Sequence, residues 1–531
     1  MKKFLLLIPG LLVFYFGFSQ KAELKLSPIL ESSPKYVEII DYLGEYYGKH
    51  WCTSMEVRYK NAINIYPDIG FTTFEPDFTK GTNIDLVKRV DTLDAIRTIS
   101  LNQKPVMVIR NNNEANKTVD FNFAIINEKG EISKQIDGPR FPKIKSHGVP
   151  KFYSTFSPDS TYFASYFYSD TDNKKDLLNI YIQVFNQEFD EIWSGNVNLN
   201  NSQKMLEIYD VDLTNEAKIY ILYKEYIGKK KEEEINGTPG YKAKIAIADR
   251  SLILSGAIIN TFDLQSNFIT SMQSQILPNG NLSTHFLTSK SEKLIGNGYT
   301  WISIDKISNE IKNSKTYLFQ KTDLEKFKKC CNLFIFEKEV GVSNNFVFSD
   351  ILFTSDGSAY LTFENSTMEK FEPHGYEVIN SPLYVIHYLY YINGMMVLRI
   401  SPSGESYSMH VIPTYQVSSG DGIEYLGGRA YIVNDKFVFF YNEQKDNDLS
   451  YDIEKMGKKR KKSKAEYRPV IATFDQNENL IFNNVSDDFE TALPISVKKM
   501  YRISENKFAY IGFVPERYKE TGNKLGMITV Q

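Results

Sequence analysis

Six histidines, three cysteines and 65 carboxylates are the groups of this 531-residue chain best suited to chemistry. Their spacing arranges almost none of it. His50, His147, His285, His374, His387 and His410 are scattered, and no two stand at the spacing that holds a metal ion or pairs a nucleophile with its base. His285 and His387 lie inside strand-like runs and read as packed side chains. No G-x-S-x-G elbow, H-E-x-x-H pair, phosphate loop or G-x-G-x-x-G turn occurs. "SDTDNKKD", residues 169–176, has an acidic D-x-D but lacks the glycine and terminal glutamate of a calcium loop, so it reads as a solvated turn. The expectation is a chain with no catalytic residue, no metal set and no cofactor. An active site assembled from distant carboxylates and histidines is the alternative.

Cys52, Cys330 and Cys331 are too few and too far apart for a zinc site, and three cannot all pair within one chain. Cys52 bridging to one of the vicinal pair and three buried thiols both remain open. The net charge of −3 gives no general pull toward nucleic acid. Hydrophobic residues at 42% and charged residues at 24% describe a globular chain. Its first residues, "MKKFLLLIPGLLVFYFGFSQ", combine two lysines, an apolar core from Phe4 to Phe18 and a cleavage point near Ser19, as a secretory signal does. No later run is long enough to span a bilayer, so residues 1–19 are read as a signal and the remainder as exported.

The elements that would position any site are legible in the turns. "FTSDGSAYLTF", 353–363, is an apolar run, a polar turn and a second apolar run, and the pattern recurs around Asn102, Asp159, Asn215, Asn279, Asp356, Asp435 and Asn506. A second turn follows each of the first six, in 123–132, 181–193, 245–254, 301–311, 397–409 and 470–482. Aromatic and β-branched runs joined by Asn, Asp, Gly and Pro are hairpins. Two hairpins per repeat make four antiparallel strands, the unit of a β-propeller blade. The reading is an all-β, seven-bladed propeller over residues 51–531, preceded by a segment, 20–50, that holds a short helix. Its last blade has three strands, and the missing one is assigned to "MEVRYKNAINIY", 55–66, which would close the ring.

Three stretches fall outside the repeat. Ser33, Pro34 and the apolar spacing Tyr36, Ile39, Ile40, Leu43, Tyr47 predict a helix ending at Gly48. Thr322 and Glu325 stand at capping-box spacing and predict a second helix. Asn393-Gly394 between apolar runs predicts an extra hairpin that displays Tyr384, Tyr388, Tyr390 and Tyr391. The longest connections, 223–242, 363–382, 441–469 and 514–526, all join a second to a third strand. They must project from one rim, where binding residues collect. The tip of one is "GKKRKKSK", with Lys458, Lys459, Arg460, Lys461, Lys462 and Lys464, which suits an anionic partner.

The units "FSPDSTYFASYF" and "FTSDGSAYLTF" resemble the blade hairpins of WD-repeat-like and Tol-type periplasmic propellers. The leader ending "GFSQ" and the Asn, Lys, Ile and Tyr usage look like envelope proteins of bacteria that run a type IX secretion system. That resemblance implies a periplasmic accessory or plug subunit of an outer-membrane translocon. The expected function is therefore a non-catalytic binding or scaffold subunit of an envelope complex, docking through the basic loop and the tyrosines named above. A propeller lyase or hydrolase of extracellular polymers, and a secreted glycan-binding propeller, are the competing expectations.

Overall fold

The computed structural model describes residues 22–26, 31–32, 35–60, 63–65, 69–77, 81–84, 93–101, 104–113, 115–142, 151–168, 177–228, 231–290, 298–325, 346–371, 387–419, 425–445, 449, 467–475, 477–485, 493–514 and 522–531. Antiparallel sheets follow one another eight times along it. Blade one is built on Lys35–Tyr46, Lys49–Lys60, Ile69–Phe74 and Gly81–Ile84, with two short pieces, Glu31–Ser32 and Ile63–Ile65, added to it. The inner strands of blades two to eight are Leu93–Leu101, Lys151–Phe156, Leu206–Leu213, Phe268–Ile276, Phe346–Phe353, Gly428–Val433 and Tyr501–Ser504.

The core lies between the blades. Buried apolar side chains fall into eight clusters, and each fills the seam between two consecutive blades. The cluster of Tyr42, Cys52 and Phe74 from blade one with Ala509, Ile511 and Leu525 from blade eight closes the circle. Packing on both faces explains why second strands read as continuous apolar runs and outer strands do not. Leu282–Ser289 is buried at every position, whereas Ile311–Leu318 in the same blade is mostly exposed.

All seven first turns and all six second turns join the strands expected of them. The ring has eight blades, not seven. The additional blade holds the segment expected to be helical, since Lys35–Tyr46 is its inner strand. Two β-bulges in that strand, between Ile39 and Asp41 and between Tyr42 and Gly44, displace the alternation of side chains. The apolar residues thereby acquire three- and four-residue spacing and imitate a helix. Its turn, Tyr47-Gly48, has φ of 52° and 70°, a type I′ pair that begins with a tyrosine instead of the usual Asn or Asp.

The ring is closed by an N-terminal strand, but by Ala22–Leu26 and not by 55–66. Ala22 pairs with Val530 and Leu26 with Gly526 along the third strand of blade eight. Met55 lies instead in the second strand of blade one, onto which Ile63–Ile65 folds back. The extra hairpin is also corrected. His387–Ile400 is one strand, the third of blade six, and Gly394, at φ +91°, serves a bulge between Asn393 and Met395. Residues 321–325 are helical. The Gln320 carbonyl, not the Thr322 hydroxyl, receives the amides of Asp323 and Leu324, each at 3.1 Å. The rest of the stretch expected to be helical, 326–331 with Cys330 and Cys331, lies outside the described residues, and Cys52 is fully buried as a free thiol.

Connections between second and third strands reach from 372 to 386 in blade six and from 445 to 466 in blade seven, while first-to-second turns stay at two to five residues. Elaboration is one-sided, as expected.

Candidate functional site

A cavity of about 1230 Å³ opens at the mouth of the central channel, on the face of the tight turns. Blades one, two, three and eight build it. Blade one gives Asp41 to Gly48, blade two gives Thr98 to Leu101 and Lys104, blade three gives Ser154, Phe156, Ser160 and Gln187, and blade eight gives Tyr501 to Ile503. The two bulges of Lys35–Tyr46 fall in the part of the strand that lines it. Bulges bend a strand and re-aim its side chains, and here Glu45 is exposed while Tyr42 is buried in the seam with blade eight.

Buried bonds hold the wall. The Tyr42 hydroxyl lies 3.0 Å from His50 Nδ1. His50 is buried, and burial lowers its pKa, so the imidazole is neutral. It also bonds the Pro76 carbonyl, which can only accept, so the ring proton sits on the nitrogen facing Pro76 and Nδ1 accepts from Tyr42. The Tyr46 hydroxyl engages the Leu43 carbonyl and Ser100 Oγ of blade two. Thr53 and Thr98 share a hydrogen bond of 2.5 Å across the same seam. Trp51 Nε1 donates to the Tyr46 carbonyl at 3.1 Å. Burial raises the pKa of Tyr42, Tyr46, Tyr47 and Tyr501, so all four remain neutral phenols.

On this rigid wall stand exposed rings. Four aromatic side chains among the described residues are exposed, namely Tyr47, Phe156, Tyr209 and Tyr501, and all but Tyr209 line this cavity. Tyr501 meets Tyr42 edge-on with ring centres 5.3 Å apart, and Tyr47 meets Trp51 in the same way at 6.0 Å. Around them are the carboxylates of Asp41 and Glu45, the amide of Gln187, the hydroxyls of Ser154 and Ser160, and the cations Lys104 and Arg502. Arg502 is spent on its own turn, donating to the carbonyls of Ser504 and Glu505 at 3.2 and 2.8 Å. Aromatic faces among mixed donors and acceptors suit a ligand that is apolar on its faces and hydroxylated at its edges.

Of the residues singled out in the sequence for partner binding, the described ones, Tyr390 and Tyr391, do not line this site. Lys458, Lys459, Arg460, Lys461, Lys462, Lys464 and Tyr384 lie outside the described residues. Tyr388, Tyr390 and Tyr391 are in the third strand of blade six, where the side chains of Tyr390 and Tyr391 are half-buried. His285 is a packed side chain as expected, with Nδ1 2.5 Å from the Tyr299 hydroxyl. The side chain of His387 and residues 169–176 lie outside the described residues. Among the described residues no three His, Cys, Asp or Glu side chains gather as a metal site would, and no helix is long and apolar enough to cross a membrane. The cavity was missed because its residues come from four blades. The one available signal was the glycine pair Gly44 and Gly48 inside an aromatic run.

No family model and no curated protein matches the chain. Solved structures similar to it include the polysaccharide lyase Uly1, at 9% identity over 95% of this chain and 100% of that one, with a TM-score of 0.36. The β-propeller domain of the trilobed protease of Pyrococcus furiosus is 12% identical over 82% and 93%, with a TM-score of 0.30. The α-L-arabinofuranosidase Arb93A of Fusarium graminearum is 8% identical over 75% and 98%, with a TM-score of 0.29. The expectation of a non-catalytic chain is corrected by these findings. It rested on missing linear motifs, and enzymes stand prominently among the similar structures. At such identities the likeness carries nothing about this chain's own substrate.

Proposed function

We propose that this chain is an exported propeller that takes an extracellular polymer, a glycan, at the channel mouth on its tight-turn face. One observation carries the reading: the exposed rings of Tyr47, Phe156 and Tyr501 share a single cavity with carboxylates, an amide and hydroxyls. Sugar rings stack their C–H faces on aromatic rings and satisfy their hydroxyls with such groups. The cavity volume of about 1230 Å³ exceeds the roughly 300–1,000 Å³ of ordinary small-molecule pockets, which favours a polymer segment. Calorimetry against a panel of soluble polysaccharides tests the reading, with chromatography of each mixture reporting whether the bound polymer is shortened. Binding that disappears in Phe156→Ala with Tyr501→Ala, in a variant that melts as the parent does, supports it. Unchanged binding in that variant, or no binding across the panel, overturns it.

A second reading is favoured by the one-sided loops. The opposite rim, with connections as long as 445–466, would dock the propeller on an envelope protein complex, a type IX-like translocon in the reading from resemblance. Affinity purification from solubilised envelope tests it. Stoichiometric recovery of a membrane protein, lost when the six cations within 458–464 become serine, supports it, and recovery of the chain alone overturns it.

A further inference from the structure

Three neighbouring seams are latched in one way at the channel. The Ser274 amide of blade five donates to Oδ2 of Asp210 in blade four at 3.1 Å. The Phe348 amide of blade six donates to Oγ of Ser271 in blade five at 3.2 Å. The Ala430 amide of blade seven donates to Oδ2 of Asp350 in blade six at 2.8 Å. Each acceptor follows a bulge in its inner strand, between Ile208 and Asp210, Ile269 and Ser271, and Phe348 and Asp350. The bulge turns a side-chain oxygen onto the next blade.

The three latches differ in charge. Asp350 is met by Arg429 at 3.3 Å, and Glu364 beside it by Lys498 at 3.4 Å. The latch between blades five and six is a neutral serine. Between blades four and five two carboxyls converge on one serine. Ser274 gives its amide to Asp210 and its hydroxyl to Asp212, while the Val211 amide takes the other oxygen of Asp210 at 3.0 Å.

Among the described residues no cation offsets them. Blade five's inner strand, Phe268–Ile276, carries no charged residue. Tyr220 stands opposite Asp212 on the second strand of blade four, and the charges around it are acids, Glu216, Asp249, Asp305 and Asp212 itself. Lys218 is committed to the Lys306 carbonyl and to Asn309 Oδ1, both at 2.8 Å, and Lys306 reaches Glu216 at 3.5 Å. We propose that the seam between blades four and five is closed by a proton held on the Asp210–Asp212 pair, and that the ring loosens there when the proton leaves.

The titration agrees with this geometry. Burial raises both carboxyls, and the charge of Asp210 helps lift Asp212 to about 8. In the unfolded chain both ionise near the ordinary carboxylate value, about 3.9. The folded state therefore holds the extra proton between these limits. Its stabilisation is full below about pH 4, is lost as pH rises toward 8, and changes no further above.

Urea midpoints of the full chain from pH 5 to 9, for the parent, Asp212→Asn and Asp350→Asn, test the proposal. Asp212→Asn should be more stable than the parent at pH 8 and should lose less stability between pH 5 and 8. The slope it keeps is that of Asp210, Asp350 and Glu364, which burial also raises. Asp350→Asn, which removes the carboxylate facing Arg429, should be weaker at every pH. A variant Asp212→Asn that is weaker than the parent at pH 8, or falls in parallel with it, overturns the proposal. Amide exchange in the parent provides a second readout. Protection at Ser274, corrected for intrinsic rate, should drop between pH 6 and 8.5 more than at Phe348 or Ala430, and an equal drop at all three also overturns it.

Discussion

Asp350 Oδ2 accepts the Ala430 amide at 2.8 Å across the seam between blades six and seven, while its Oδ1 faces Arg429 at 3.3 Å. One carboxylate thus serves a backbone donor and a guanidinium that also engages Tyr431 and the charge of Glu364. Asp350→Ala leaves both, and stranding one member of a buried pair costs about 3–5 kcal/mol. The Arg429 side chain is half-exposed, which places the expected loss near the lower end. Chemical denaturation reads it, and a loss under about 1 kcal/mol would show that the latch contributes little.

Ring closure rests on five paired residues, Ala22 to Leu26 against Val530 to Gly526. Removing residues 526–531 deletes that ladder together with Ile528 and Val530, both fully buried in the seam of blades seven and eight. It also uncovers the edge of Lys507–Val514. The expected outcome is loss of the cooperative transition or aggregation, whereas removal of 457–464 leaves the melt unchanged. A truncated ring that melts with the parent would show that the terminal ladder does not close the fold.

The turns were the legible part of this molecule because Asn, Asp, Gly and Pro announce them. "FSPDSTYFASYF" is read correctly because Ser157 and Asp159 cap their own turn, with Ser157 Oγ 2.7 Å from Asp159 Oδ1 and the Thr161 amide 2.9 Å from it. Tyr47-Gly48 makes an equally tight turn with no such signature, and that single substitution of tyrosine for a polar turn residue concealed a blade. The long loops were legible as loops by their length and charge. The cavity was not, because Phe156, Tyr501 and Tyr47 are far apart in the chain and meet only when blade eight closes on blade one. Nor was the Asp210–Asp212 pair, whose meaning depends on Ser274 and on the lack of a facing cation among the described residues.

His285 predicts the acid limb of stability. Its Nδ1 is bonded to Tyr299, its Nε2 is buried without a partner, and burial lowers its pKa to about 3. The unfolded chain protonates this residue near pH 6.5 and the folded chain does not. Stability is therefore full above about pH 6.5 and falls by up to about 1.4 kcal/mol per pH unit below it. His285→Phe should be less stable at pH 7, because the buried Tyr299 hydroxyl loses its hydrogen-bond partner, yet less sensitive between pH 6 and 4.5. Thermal melts at fixed ionic strength check this, and an unchanged acid slope would exclude His285 as its source.

Gly44 and Gly48 stand four residues apart beside the cavity, and they should respond differently to alanine. Gly44 has φ +142°, and a Cβ there would lie 2.5 Å from the Tyr46 hydroxyl. That hydroxyl ties blade one to Ser100 of blade two and to the Leu43 carbonyl, so it cannot retreat without breaking both bonds. Gly44→Ala combines backbone strain with displacement of Tyr46, and about 2–4 kcal/mol is expected. Gly48 has φ +70° with open space around its Cβ position, so alanine there meets only the left-handed backbone penalty of about 1–2 kcal/mol. Because Tyr46 is part of the cavity wall, Gly44→Ala should also weaken polymer binding at temperatures where the variant is fully folded, and Gly48→Ala should not. Paired melts and titrations on the two variants measure both effects. Equal losses at the two positions would show that Tyr46 yields freely and that the bulge at Gly44 does not shape the site.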